Sequence, residues 1–556
     1  VLDANGDGLL DLLGGRTPEE ESGGGCLYLN ASEPGPIRFV PDPRVCNQDL
    51  RATSVSAFDV DGDGKDEMFL MFFQNIVEVR LTESGVTQYQ HFDPSLFTDA
   101  RALCDPSSLV PMDIDLDGDL DALVGCTSPN SRVLDMFEDD VSYWLQTHLL
   151  RNQDGQLRLE TGPWAEELSL LGNPLTFGLV DLDENGLIDL VATNDSFSTE
   201  GRRNLHLAPG TLHVRCRPDE TCIWHERQVV DGEQGFGSFM GVGVVRVAAE
   251  RLLLLTDWGA KRALDLGAEG WPDAADRFGL QLPDNDGFAL YSWSALVDDF
   301  DLDGLDDILF THGMPADGDV PGHGAHVPFL VVQNQDEQFS LYKDGLGFLL
   351  PAQRMRVQRE VPPSQRSAIR ADFDRDGILD LLLVFALGFP ELYTDATGQA
   401  TRCTVFPQPA FAPAWGHSFA FRLHADDVWH EWFVWGGMRV GNANALLLPA
   451  RQGELRWPSG AVTPWDCGIR TTLTLTEPEW LTIAREDAEV SVQIDMRWWK
   501  LNEAQDLSLH WRLNEQTGVE TVQASSPGLW RLSGIPDGAR VLVQLDDRYI
   551  PRWWQL

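Results

Sequence analysis

Acidic side chains in this chain recur in groups of nine residues with one spacing. In "DVDGDGKDE" acids stand at the first, third, fifth and ninth places (Asp59, Asp61, Asp63 and Glu67), and Gly64 stands at the sixth. Like charges this close repel one another unless a positive charge lies among them. The spacing lets alternate side chains turn toward a common centre. Glycine at the sixth place permits the sharp turn that brings the ninth round, and the seventh residue, Lys65, adds its backbone carbonyl. The result is an oxygen cage for a hard cation, and a cage of this irregular kind suits Ca²⁺ better than Mg²⁺.

The same arrangement occurs five more times. The first copy is Asp3, Asn5, Asp7 and Asp11 with the carbonyl of Leu9. The third is Asp113, Asp115, Asp117 and Asp121 with Asp119, and the fourth is Asp181, Asp183, Asn185 and Asp189 with Leu187. The fifth is Asp299, Asp301, Asp303 and Asp307 with Leu305, and the sixth is Asp372, Asp374, Asp376 and Asp380 with Ile378. Each copy has glycine at its sixth place, so six Ca²⁺ ions are expected. An EF-hand would need a glutamate at the twelfth place and flanking helices. That place holds Gly14, Leu70, Val124, Ala192, Phe310 and Leu383, none of them acidic.

The elements that must position these loops are short. Each loop runs into an apolar stretch, such as "LLL" after Asp380 or "LVA" after Asp189, which reads as a buried strand. Each unit is therefore strand, loop, strand. Most copies start about 55–70 residues apart, a period that signals a solenoid or propeller. The interval from Asp181 to Asp299 is double, and "MGVGVVRVAAERLLLLTDW" (240–258) fills it as a worn copy. Its ligand places hold Val244, Arg246, Ala248 and Leu252, so it binds no ion. A second worn copy, 416–437, holds Leu423, Ala425, Asp427 and Glu431 there, too few acids for a tight site. The later half of each unit repeats as strand, turn, strand, in "CLYLN" (26–30), "HLLRNQDGQLRLE" (148–160), "FLVVQNQDEQFSLY" (329–342) and "ALLLPARQGELRW" (445–457). Four strands per unit make a propeller blade. The expected fold is all-β, an eight-bladed propeller over residues 1–470. Seven blades stay open, because the first unit has only Val1 and Leu2 before its loop.

These loops, strands and "LYxN"-like segments resemble FG-GAP/VCBS repeats, the repeats of integrin α-subunit propellers and of many bacterial surface proteins. The resemblance covers about residues 1–470 and implies a calcium-binding propeller active in adhesion or protein–protein interaction. Residues 471–556 read instead as alternating strands with turns between them, a small β-sandwich. There "GLWRLSGIPDGARVLVQL" is similar to the end of transthyretin-like or carboxypeptidase-regulatory-like modules.

The formal net charge is −46, and six divalent ions would leave the chain strongly acidic. Such a field opposes binding to nucleic acid or anionic membranes. The 8 cysteines fall into neighbouring pairs, Cys26 with Cys46, Cys104 with Cys126, Cys216 with Cys222 and Cys403 with Cys467. Four local disulfides are the simplest account, and they imply an oxidising compartment. No apolar run reaches the roughly 20 residues of a membrane span. No signal peptide is visible, and the chain begins inside a repeat. An extracellular or cell-surface address is expected, with the periplasm as another oxidising place.

Other residue groups read as structural. "THGMPADGDVPGHGAHVPF" (311–329) holds His312, His323 and His326, but its spacing fits no standard zinc motif, so it reads as a surface insertion. "HADDVWHEW" (424–432) keeps acids as relics of a loop. The chain has 19 tryptophans, read mostly as packing, with any exposed at blade tips available to stack on sugars. No GxSxG, HExxH or P-loop occurs. The expected role is that of a non-catalytic secreted or cell-surface protein that contacts another extracellular protein or a surface polysaccharide. A lectin-like carbohydrate binder is the alternative, and a hydrolase acting on polysaccharide ranks below it.

Overall fold

The computed structural model describes residues 1–14, 26–32, 37–46, 52, 54–63, 65–72, 75–82, 85–91, 105–127, 147–160, 174–194, 211–214, 228–229, 240–256, 261–280, 292–301, 303–313, 329–334, 336–342, 349–353, 365–385, 391–395, 402–411, 419–424, 429–432, 445–468, 472–486, 489–495, 497, 506–514, 516–523, 528–545 and 548–556. Every regular element among them is a β-strand, and the described residues contain no α-helix. None of them therefore forms a helix long and apolar enough to cross a membrane.

Seven antiparallel sheets follow one another up to residue 395. Sheet 1 holds Leu12–Gly14, Cys26–Asn30 and Phe39–Pro41. Its opening strand is reduced to one bridge, Leu2 with Asp11. Sheet 2 is the meander Ser54–Phe58, Glu67–Phe72, Asn75–Thr82 and Gly85–Gln90. Sheet 3 runs Asp105–Met112, Asp121–Thr127, Thr147–Asn152 and Leu157–Leu159. Sheet 4 runs Pro174–Val180, Asp189–Asn194, Thr211–Val214 and Gln228–Val229. Sheet 5 has Gly241–Val247, Glu250–Thr256 and Arg262–Asp265, and sheet 6 has Ser292–Asp298, Asp307–His312, Phe329–Gln333 and Phe339–Leu341. Sheet 7 runs Gln365–Ala371, Asp380–Phe385 and Glu391–Asp395, and an earlier segment, Leu349–Gln353, fills its outer place.

The inner strands are apolar nearly throughout because neighbouring sheets cover both their faces. All six residues of Asp307–His312 are buried, as are six of the seven in Gly241–Val247. The first strands of sheets 2 to 7 lie side by side in chain order. Val180 and Val191 share a core with Val242 and Leu253, and Val245 and Leu254 share one with Ala295 and Ile308. Sheet 1 packs on two partners. Leu2 and Leu27 join Ala57 and Leu70 of sheet 2, while Leu10 and Ile37 join Ile369, Phe373 and Leu392 of sheet 7.

Beyond residue 402 the meander ends. Cys403–Gln408 pairs antiparallel with Leu446–Leu448 and parallel with Thr472–Thr476, so strand pairing runs across the division expected at residue 470. Phe419–Arg422 lies between His430–Trp432 and Gln452–Arg456, with Val462–Asp466 outside. The strands expected of an eighth unit therefore exist, but "ALLLPARQGELRW" is split between two sheets rather than forming adjacent strands of one. Aromatic contacts accompany this arrangement: Phe419 meets Trp457 edge-on with 5.9 Å between centroids, and Phe421 meets Trp465 edge-on at 6.5 Å. Two more antiparallel sheets end the chain. One is Leu481–Glu486, Glu489–Ile494 and Leu529–Ser533, and the other is Gln516–Gln523, Asp506–Leu513, Arg540–Leu545 and Arg548–Gln555. Val490, Val492, Leu507, Leu509, Trp530 and Val541 bury their side chains in one core.

Candidate metal centres

Each intact loop joins the first two strands of a sheet, and the ninth-place acid opens the second strand. It pairs with the last residue of the first, as Phe58 with Glu67, Met112 with Asp121, Val180 with Asp189, Asp298 with Asp307 and Ala371 with Asp380. The first-place acid follows one residue past that pair, so antiparallel register alone sets the two ends of the cage side by side.

Backbone N–H groups hold the carboxylates in place. The ninth-place acid accepts from the second-place N–H in all six loops, from Ala4 at 3.0 Å, Val60 at 2.7 Å, Ile114 at 3.2 Å, Leu182 at 2.9 Å, Phe300 at 2.9 Å and Phe373 at 2.8 Å. The first-place acid accepts from the sixth-place glycine, at 2.8 Å for Gly8 to Asp3 and for Gly186 to Asp181, and at 3.0 Å for Gly118 to Asp113, Gly304 to Asp299 and Gly377 to Asp372. The seventh-place N–H donates to the fifth-place side chain in every loop: Leu9 to Asp7, Lys65 to Asp63, Asp119 to Asp117, Leu187 to Asn185, Leu305 to Asp303 and Ile378 to Asp376.

Five loops bring three carboxylates within 4.8 Å of one another: Asp59, Asp61 and Glu67; Asp113, Asp115 and Asp121; Asp181, Asp183 and Asp189; Asp299, Asp301 and Asp303; and Asp372, Asp374 and Asp380. The fifth cluster takes Asp303 in place of Asp307. The first loop forms no such triple, and its third place is Asn5, whose amide donates to Asp7 at 3.0 Å. Several cage oxygens suit a cation. Asp115 Oδ1 and Asp181 Oδ1 are buried without a hydrogen-bond partner, an expensive state for a carboxylate oxygen. Burial, followed by neighbouring acids, raises Asp113 well above the ordinary carboxylate range. Burial likewise pushes Glu67, Asp121 and Asp307 up to about 8, Asp380 to about 9, and Asp181, Asp299 and Asp372 to about 7. Such groups stay protonated to higher pH than usual, and a cation at the centre would favour their charged forms. The donors are all oxygen, a set that could hold a metal ion and would suit a hard divalent one.

The structure adds residues that sequence spacing did not expose. The fourth place is left-handed wherever it is described: Gly6 (φ 72°), Gly62 (φ 74°), Leu116 (φ 57°), Glu184 (φ 60°) and Arg375 (φ 58°). The glycines in the first two loops were the available signal. Arg80 pairs with Asp61 and Arg151 with Asp115, each reaching its cage from the third strand of the same sheet. The third strand also ends in a bridging amide. Asn152 donates to Leu120 O at 3.1 Å in its own loop and to Val60 O at 2.7 Å in sheet 2. Asn30 donates to Leu10 O at 3.1 Å and to Phe373 O at 2.7 Å in sheet 7. Arg251 reaches back to Leu182 O at 2.8 Å, and Arg402 to Asp299 O at 2.6 Å.

The worn copy in sheet 5 keeps its strands and loses the loop. Val247 pairs with Glu250 across the two-residue turn Ala248–Ala249. In the second worn copy Asp427 lies outside the described residues, and Glu431 sits in the strand His430–Trp432. His312 belongs to no surface insertion: it closes the strand Asp307–His312 and is fully buried, while His323 and His326 lie outside the described residues. Cys26–Cys46 and Cys403–Cys467 are disulfides, and Cys126 is disulfide-bonded. Cys104, Cys216 and Cys222 lie outside the described residues. Among the described residues the exposed large apolar side chains are Val40, Tyr89, Leu341 and Val519, while Trp271, Trp429, Trp511, Trp553 and Trp554 are half-buried.

Comparison with solved structures returns distant likenesses. One is described as the structural basis of specific recognition of non-reducing terminal N-acetylglucosamine by an Agrocybe aegerita lectin, at 13% identity over 70% of this chain and 91% of that one, with a TM-score of 0.38. A DUF3823 family protein from Parabacteroides merdae matches at 12% identity over 28% of this chain and 100% of its own, with a TM-score of 0.15. A Bacteroides ovatus protein described as xyloglucan PUL GH43B matches at 9% identity over 89% and 87%, with a TM-score of 0.23. No curated protein sequence matches the chain. The family model of the FG-GAP-like repeat matches residues 3–70, a span that holds the first two loops. Four more loops of the same construction follow it: residues 3–70 match an FG-GAP-like repeat, and the later loops share its pattern.

Proposed function

We propose that the chain is a calcium-braced β-propeller of seven sheets, carrying a C-terminal β-module, that works without catalysis as a rigid binding scaffold outside the cell. The observation that carries the ring is the amide of Asn30, which bonds to Phe373 O at 2.7 Å, 343 residues away. Asn152 and Arg251 make the corresponding link from a sheet to the loop of the one before it, Arg402, just past sheet 7, reaches the loop of sheet 6, and Asn30 links the first sheet to the loop of the seventh. Phe39 against Phe373, edge-on at 5.6 Å, supports the same closure. On this reading residues 403–467 belong with the C-terminal strands rather than forming an eighth blade.

Calcium would be held by the side chains of Asp59, Asp61, Asp63 and Glu67 with the carbonyl of Lys65, and by the matching residues of the other loops. It neutralises clustered acids and fixes each hairpin. The same residues account for the clustered carboxylate triples, so those clusters need no catalytic explanation. The disulfides support an oxidising address, extracellular or cell-surface. The partner is an extracellular protein or a surface polysaccharide met by loops on the rigid disc. Binding of the purified chain to arrays of extracellular proteins and glycans, run with calcium and with chelator, tests this. Binding that chelation abolishes fits a braced scaffold, and partner binding indifferent to chelation contradicts it.

A further inference from the structure

The last strand, Arg548–Gln555, uses one edge for its own sheet and the other for the metal loops. It pairs with Arg540–Leu545, with a register shift between Leu542 and Gln544. Its backbone also donates outward, from Tyr549 to Asn185 O at 2.6 Å and from Trp553 to Leu116 O at 2.9 Å. The Arg548 guanidinium donates to Glu184 O at 3.2 Å and to Pro458 O at 2.8 Å, and lies 3.7 Å from Asp181 Oδ2. The strand thus grips the fourth and fifth places of loop 4, the fourth place of loop 3, and the edge of a cage carboxylate. The loops are shaped to receive it. A Cβ on Gly186 would stand 2.3 Å from Tyr549 O, so only glycine lets the strand approach. Leu116 is 4% exposed, whereas Gly62, at the same place in loop 2, is exposed.

We infer that the strand Arg548–Gln555 is a latch whose seating on loops 3 and 4 is coupled to the ions those loops hold; this rests on the metal-binding reading above. An ion draws the first, third, fifth and ninth places together and so fixes the carbonyls of Leu116, Glu184 and Asn185 where the strand's donors meet them. Losing the ion frees carboxylates that repel one another, and the carbonyls lose that fixed position. Most of the grip is backbone hydrogen bonding to loop carbonyls, so the coupling is positive: ion binding seats the strand. Coupling is reciprocal, so the seated strand raises the ion affinity of loops 3 and 4.

Hydrogen exchange on the full chain, read by mass spectrometry alongside the bound-calcium content of the same samples, tests this. Chelation is expected to speed deuterium uptake in peptides covering 548–555 while the interior strand Asp506–Leu513 of the same sheet stays protected, and added calcium is expected to reverse the change. Arg548→Ala is expected to weaken two of the calcium sites by about fivefold or more, the low end of typical coupling. If calcium binds and uptake over 548–555 does not change, the latch is refuted while the metal reading stands. If no calcium binds, both fall. Should Arg548→Ala fail to fold, the exchange of the unmutated chain still decides.

Discussion

A ninth-place carboxylate is held by the protein itself besides any ion, and Asp121 also accepts from the Arg151 guanidinium at 3.4 Å. In loop 3 one oxygen of Asp121 accepts from Ile114 N–H, and the other accepts from Asn152 N–H at 2.8 Å. That double hold explains why an acid is kept where burial disfavours its charge. It also fixes the sign of a pH effect. The folded-state values of Glu67, Asp121, Asp307 and Asp380 lie above their ordinary ones, so without metal the fold binds more protons than the unfolded chain. Their favourable contribution is complete below the ordinary carboxylate range near 4 and disappears as pH rises through about 8 to 9. The melting temperature of chelated protein is therefore expected to fall between pH 4 and 9, and that of calcium-loaded protein to hold. Calcium affinity should rise over the same interval, because each ion displaces protons. Scanning calorimetry with and without chelator checks this, and chelated protein that grows more stable with pH would refute it.

At the scale of the element, the strand–loop–strand unit was legible because its signal is local: alternate acids, a glycine and an apolar run lie within about fifteen residues, the reach of periodicity arguments. The stitches between units were not legible. Asn152 and Val60 are 92 residues apart, and nothing near "LLRN" names its partner. The fate of residues 403–467 was hidden for the same reason, since the pairing of Cys403–Gln408 with Thr472–Thr476 and the aromatic contacts of Phe419 and Phe421 act over long separations. Asn152→Ala is expected to cost about 1–3 kcal/mol in urea unfolding, because two buried carbonyls lose their donor. A second comparison separates turn strain from docking. Gly186 (φ 89°) and Gly304 (φ 88°) share a left-handed backbone, but a Cβ on Gly304 meets nothing within 4 Å. Gly304→Ala should cost about 1–2 kcal/mol. Gly186→Ala should cost more, since it also collides with the last strand, and equal costs would remove the packing role of Gly186.

Across the whole molecule, the acidic balance of −46 and the buried cage carboxylates pose one problem: too much negative charge gathered in one structure. On the proposed reading divalent ions resolve it and would stabilise the fold by mass action, each site adding about 2.7 kcal/mol when free ion stands at a hundred times its dissociation constant. Five sites have a triple of clustered carboxylates and should fill first, with the Asn5-containing first loop weakest. The most direct measurement is elemental analysis of the purified, never-chelated chain, followed by thermal unfolding with and without EDTA. At least five alkaline-earth ions per chain and a large fall in melting temperature on chelation are expected. A chain free of alkaline-earth metal, or one whose melting ignores EDTA, would contradict it.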